Sequence, residues 1–250
     1  MLRVSRTLAG CLVVTGLLLA TSGCGGDDDS IGHAKDYAKT DGADIAKDAR
    51  AAMGRLRTMH VAGTITQGGE TIALDLSVSQ DGSCAGTIGV GDGSIELRSA
   101  GGRAWYKADL AFWKAEVGSE AAEVAKAVGD RWVVLSGDLA SLRSFCRIDS
   151  LTSQMLGAKA SYESQGAAMV GTTPTARISI EQSSTGQNST GQSDLHSTAY
   201  VKASDPHYVL RIVRGTGKAA GQVDFSAFDQ KFTVEVPATK DIFNPETAGK

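Results

Sequence analysis

TIALDLSVS, residues 71–79, decides the fold. Ile72, Leu74, Leu76 and Val78 alternate with Ala73, Asp75 and Ser77, the two-residue period of a strand with one apolar and one polar face. Such a face must be covered on one side and can stay wet on the other, which is the habit of antiparallel sheets. Asp81-Gly82 follows as a tight hairpin signal. Residues 83–90, 94–99 and 103–107 then read as strands separated by Gly91-Asp92-Gly93 and Gly101-Gly102. Upstream, residues 60–67 form another strand, ending at Gly68-Gly69. Consecutive strands with short turns make an antiparallel meander.

Outward from the meander the period changes. Ile45, Ala49, Ala52, Met53 and Leu56 fall on one stripe, which predicts an amphipathic helix over residues 42–59 that packs on the sheet or lies on a membrane. Downstream, Ala121, Val124, Ala125 and Val128 form a helical stripe starting near Ser119 and stopped at Gly129. Residues 132–135 read as a short apolar strand. Asp138 reads as the N-cap of a helix over 139–145, and Ile148, Leu151 and Met155 as a further helix ending at Gly157. Residues 176–181, 196–202, 208–214, 221–225 and 232–236 are strands of a second β region. Between the first two, residues 182–193 repeat Ser-Thr-Gly-Gln and are too polar to pack, which predicts a flexible loop. The order helix, meander, helices, second meander predicts an α+β fold: one curved antiparallel sheet with helices on one side, in a single domain over 42–250.

The N-terminus has Arg3 and Arg6, an apolar run from about residue 8 to 20, then small residues, the layout of a secretory signal over 1–23. The run is short of the roughly 20 residues of a membrane span. Two stretches resemble the lipobox of bacterial lipoproteins, Leu8-Ala9-Gly10-Cys11 and Thr21-Ser22-Gly23-Cys24. The first matches better but has almost no apolar segment before it. The second is well placed and departs from the pattern at Thr21. That resemblance implies lipidation of Cys24 with diacylglycerol and palmitate. Cleavage near Ser22 or Gly23, releasing a secreted protein, is the alternative. Gly25-Gly26 and Asp27-Asp28-Asp29 then read as part of a solvated tether over 24–41. Two acyl chains hold a protein on a membrane where one is marginal.

Of the four cysteines, Cys11 leaves with the signal and Cys24 is the anchor; Cys84 and Cys146 remain as one pair, and in an oxidising compartment a disulfide is the simplest reading. A nucleophilic cysteine is the alternative, although neither has a His nearby in sequence. The chain carries 25 Lys and Arg against 28 Asp and Glu, and two of those Arg leave with the signal. With no basic block, nucleic-acid binding has no electrostatic footprint.

Four local stretches carry a further resemblance: Val61-Ala62-Gly63-Thr64, Gly129-Asp130-Arg131-Trp132-Val133, Asp205-Pro206-His207-Tyr208-Val209-Leu210-Arg211 and Val234-Glu235-Val236-Pro237. With the lipid anchor and the order of elements, the chain over 42–243 resembles the actinobacterial lipoproteins related to LppX and LprG, whose fold is similar to that of the LolA lipoprotein carrier. The resemblance implies a LolA-like half-barrel wrapped around helices with an apolar cavity between them. It implies binding of an acyl chain or lipoglycan and its carriage outward from the membrane, with no cofactor and no catalytic residue. The positions that would line such a cavity are Ile72, Leu74, Leu76, Val78, Ile88, Leu97, Trp105, Leu142, Phe145, Met155, Leu210 and Ile212. The same residues could equally fill an ordinary core. The Cys84–Cys146 pair does not map onto a pattern common to that group.

No other constellation competes. The four His are scattered without metal-ligand spacing, no GxSxG elbow is present, and the glycine-rich residues 89–93 sit between strands and do not open a helix. Trp105, Tyr106, Phe112 and Trp113 cluster with Lys107 and Lys114 as a cavity gate, a membrane contact or a patch sealing a sheet edge. The expectation is a monomeric, membrane-anchored binder of lipid or lipoglycan at the outer face of the membrane, not an enzyme, with an unknown protein partner for transfer. A surface interaction or sensory module on the same fold is the rival.

Overall fold

The structure, a computed structural model, describes residues 26–67, 70–181, 196–215 and 221–243. The signal, Cys24 and the polar loop 182–193 lie outside the described residues. The strands are β1 (Thr58–Gln67), β2 (Glu70–Ser79), β3 (Cys84–Val90), β4 (Gly93–Ala100), β5 (Arg103–Ala108), β6 (Trp132–Val134), β7 (Ser161–Val170), β8 (Thr173–Glu181), β9 (Ser197–Lys202), β10 (Val209–Arg214), β11 (Gly221–Ser226) and β12 (Ile242–Phe243). They form one open, curved twelve-stranded sheet in the order β12-β6-β5-β4-β3-β2-β1-β11-β10-β9-β8-β7. Every pairing within it is antiparallel except β12 with β6.

The two meanders meet at one seam, where His60 to Thr64 of β1 pair with Ser226 to Gln222 of β11. Gly63 makes this close approach feasible. Its φ is +145°, and a Cβ there would run into the Gln222 carbonyl oxygen. Glycine in a strand marks such a sharp bend or close backbone approach.

The inner face follows from register. Val61, Leu76, Gly86, Leu97 and Tyr106 stand opposite one another across β1 to β5, and Leu74, Ile88 and Ile95 form the next row. Helices α1 (Gly26–Tyr37) and α2 (Gly42–Met53) pack at the β7–β8 end. Helix α3 (Leu110–Val117) packs against β4, and α4 (Ala121–Val128) packs against α3. Between them, a 3₁₀ segment (Gly137–Cys146) and α5 (Ile148–Met155) lie over the middle of the sheet. Among the described residues no helix is long and apolar enough to cross a membrane.

Several local expectations are corrected. The first predicted helix stops at Met53, and residues 58–59 already belong to β1. The stretch read as a tether is helical from Gly26. Its far end is packed, with Ala34 and Ala38 buried and Tyr37 stacked on His207 at 4.3 Å. The helix expected at 139–145 is 3₁₀. Strand β7 was not expected. Residues 232–236 alternate like a strand but pair with none. They cross the outer face, where the Glu235 carbonyl oxygen accepts a hydrogen bond from Arg98 Nη1.

Cys84 and Cys146 are bonded, with Cα atoms 5.2 Å apart, and both are buried. The bond closes a separation of 62 residues and ties the end of the 3₁₀ segment to the start of β3. A loop of that length is worth about 4 kcal/mol in the chain-entropy model. The Cys84→Ala/Cys146→Ala variant should lose stability of that order in a denaturant melt, and limited proteolysis should cut first within residues 137–157. Gly63→Ala should cost at least about 1–3 kcal/mol through its backbone conformation, while Ala at Gly89 of β3, whose Cβ would meet the Ala73 side chain at 3.3 Å and nothing nearer, should cost less.

Candidate functional site

The concave face is not filled evenly. Along β1, Met59 and Val61 are buried, whereas Ile65 is half-exposed. Along β2, Val78, Leu76 and Leu74 are buried and Ile72 is half-exposed. Packing therefore loosens towards the end where β1 meets β2 and β10 meets β11. A cavity of about 80 Å³ opens there, lined on the sheet by Val61, Ile65, Leu74, Ile212 and Val223 and on the roof by Phe145, Leu151 and Met155. Gln154, Arg214 and Gly221 complete the lining.

The roof is pinned in the C-terminal half of the 3₁₀ segment. Cys146 is held by the disulfide, and Arg143 donates to the carbonyl oxygens of Gly102 and Leu135, each at 3.2 Å. Along the segment Leu139, Leu142 and Phe145 are only partly buried against the core. A 3₁₀ run of ten residues is unusual, because its hydrogen bonds are poorer than those of an α-helix, and such stretches recur at hinges. Helix α5 continues the roof and divides two hollows. Leu151 and Met155 face the cavity; Ile148, Thr152 and Leu156 face a wider groove of about 280 Å³ that also touches Arg50, Leu56 and Gln80. Arg50, Gln80, Asp149, Thr152 and Ser153 make half of the wider groove's lining polar, so the smaller cavity, apolar but for Gln154 and Arg214, is the better candidate for a hydrophobic ligand.

Of the twelve residues proposed from sequence, Leu74, Phe145, Met155 and Ile212 line the cavity. Leu76, Val78, Ile88 and Leu97 share the inner face but are closed into the core, while Ile72 and Leu142 pack at its margin. Two stand elsewhere. Trp105 is opposite Arg98 and Val134, on the outer face, and Tyr106 takes the inner position. Leu210 sits at a bulge between Val209 and Arg211, which pairs Val209 with Val201 and puts Val209 and Ile212 in the core without it. Val61, Ile65, Leu151 and Val223 were missed as cavity residues. The alternation of β1 carried the signal for the first two.

The aromatic cluster expected from sequence splits accordingly. Tyr106, Phe112 and Trp113 lie with ring centroids 5.7–6.2 Å apart and plug the β4–β5 end of the concave face. Burial, aided by Glu116, pushes the Tyr106 hydroxyl above its ordinary range and keeps it neutral. Trp105 stays on the other face with Trp132, over which Arg98 stacks at 4.4 Å. Among the described residues no group of three His, Cys, Asp or Glu could hold a metal ion.

No protein-family model matches the sequence, and no curated protein matches it. Two mycobacterial proteins are among the solved structures that match the fold. Lipoprotein LppX of Mycobacterium tuberculosis is 16% identical with a TM-score of 0.52, covering 77% of this chain and 97% of its own. LprF from Mycobacterium bovis is 16% identical with a TM-score of 0.53, covering 80% of this chain and 100% of its own. The half-barrel with its helical filling is the LolA-like fold shared with these two mycobacterial proteins.

Proposed function

We propose that this chain is a lipid-binding carrier, anchored by acylated Cys24 at the outer face of a membrane, and that an acyl chain enters the cavity between sheet and roof. The observation that carries the reading is an apolar hollow between sheet and roof, lying at the strand ends where packing loosens. LppX, similar in fold, is described as a lipoprotein, which supports the anchor. The activity is binding without chemistry: of the lining residues only Gln154 and Arg214 are polar.

Size sets the mechanism. An apolar cavity of about 150 Å³ accepts benzene, so about 80 Å³ offers a foothold for the end of a chain and no more. Admitting a full acyl chain requires the roof to lift, and the 3₁₀ segment is the element built to yield. Each methylene gains about 0.8 kcal/mol on leaving water and almost nothing on leaving a bilayer. The protein therefore exchanges lipid near equilibrium, and a protein partner would supply direction. The rival reading, a surface interaction module, is favoured by the plug of Tyr106, Phe112 and Trp113, which fills the other end of the groove.

Full-length protein carrying Cys24→Ser, so that its own anchor does not interfere, should co-purify with one lipid detectable by native mass spectrometry after export. Ile65→Trp, at the half-exposed end of the cavity, should reduce that occupancy at least tenfold with an unchanged melting temperature. A bare mass after incubation with membrane lipids would overturn the carrier reading and leave the interaction module.

A further inference from the structure

Arg214 stands where the cavity opens. It is the last residue of β10, it pairs across with Gly221 and Ser197, and it lines the cavity one step beyond Ile212. It is half-buried, yet among the described residues its side chain forms no hydrogen bond, ion pair or ring contact. The other half-buried arginines are all engaged. Arg98 holds Glu96 and Glu235, Arg211 holds Asp224 at 2.6 Å, and Arg177 donates to the Gln165 carbonyl oxygen. Arg131 donates to the carbonyl oxygens of Val128 and Ala127, and Arg50 lies over the Tyr162 ring, with its buried Nη1 left without a hydrogen bond.

A guanidinium cannot shed its charge at physiological pH and presents a planar fork suited to two oxygens at once. It stands beside the apolar walls of the cavity with no counter-ion among the described residues. The chain as a whole is acidic, so this cation is a local feature and not part of a basic surface. Apolar lining leading to one unpaired guanidinium describes the complement of an amphiphile with a single anionic head.

We infer that the ligand is an anionic amphiphile, its carboxylate or phosphate paired with Arg214 and its tail beneath the roof between Leu74 and Met155. The inference rests on the carrier reading and narrows it by chemical class. A charge-assisted, two-point contact makes head charge a determinant of affinity that a purely apolar groove would not possess.

The test compares probes that share a tail and differ in the head. Binding of oleate against oleyl alcohol, and of oleoyl lysophosphatidate against monooleoylglycerol, is measured by native mass spectrometry on the full chain carrying Cys24→Ser. The charged member of at least one pair should bind roughly tenfold or more tightly, and which pair shows it tells carboxylate from phosphate. Arg214→Gln should bring charged and neutral probes to parity. Arg214→Lys should keep most of the preference and serves as the folded control. Equal affinity for charged and neutral probes in the unsubstituted site, or a preference that survives Arg214→Gln, would overturn the inference and leave a carrier of neutral lipid. Failure of the folded protein to bind any of the four probes would overturn the inference together with the carrier reading beneath it.

Discussion

A curved sheet twelve strands wide has a concave face that five short helices and one 3₁₀ segment must keep from water. Cover is tight where helices lie directly on the sheet: α2 against β7 and β8, α3 against β4. In the middle, cover comes from the 3₁₀ segment and the eight residues of α5, so protection thins from Val78 towards Ile72. The cavity, its position at the strand ends and its roof all follow from this shortage of covering surface. A face with the same apolar side chains and one longer helix over it would be an ordinary core.

Two covalent and backbone constraints make that uneven cover stable. The β1–β11 ladder joins two meanders that sequence alone would allow to fold as separate sheets, and it puts Val61 and Val223 on one wall. The disulfide holds the roof at its inner end. On the proposed reading, with Cys146 fixed, the part of the 3₁₀ segment before Arg143 is what must yield for the void to widen.

The strands with one dry and one wet face were legible, because burial imposes their alternation on the side chains. The turns were legible where left-handed backbone demands glycine, as at Gly82, Gly91, Gly101 and Gly102. Strand β7 was not, because as an edge strand of Ser, Gln, Gly and Ala it buries little and shows no apolar period. Residues 232–236 show the reverse: they have the period and lack a partner strand. Trp105 and Tyr106 are both buried, and only register tells which faces inward. Leu210 failed for the related reason that one bulged residue shifts every later side chain to the opposite face. The 3₁₀ segment and an α-helix share nearly the same apolar spacing, and that difference matters most for the roof.

Equilibrium binding has no direction of its own, since a ligand shifts a conformational balance only by its differential affinity for the two states. In a closed roof the apolar walls satisfy one another, while the Arg214 side chain has no partner among the described residues. On the proposed reading, an anionic head would pair with it and the tail would replace wall-to-wall contacts at little net gain. Head and tail then divide the work: the tail decides whether the roof can open, and the head decides which lipid makes the open state worth populating. A carrier arranged in this way would release its load wherever a competing cation or a partner surface takes over the head, without any change in the apolar contacts.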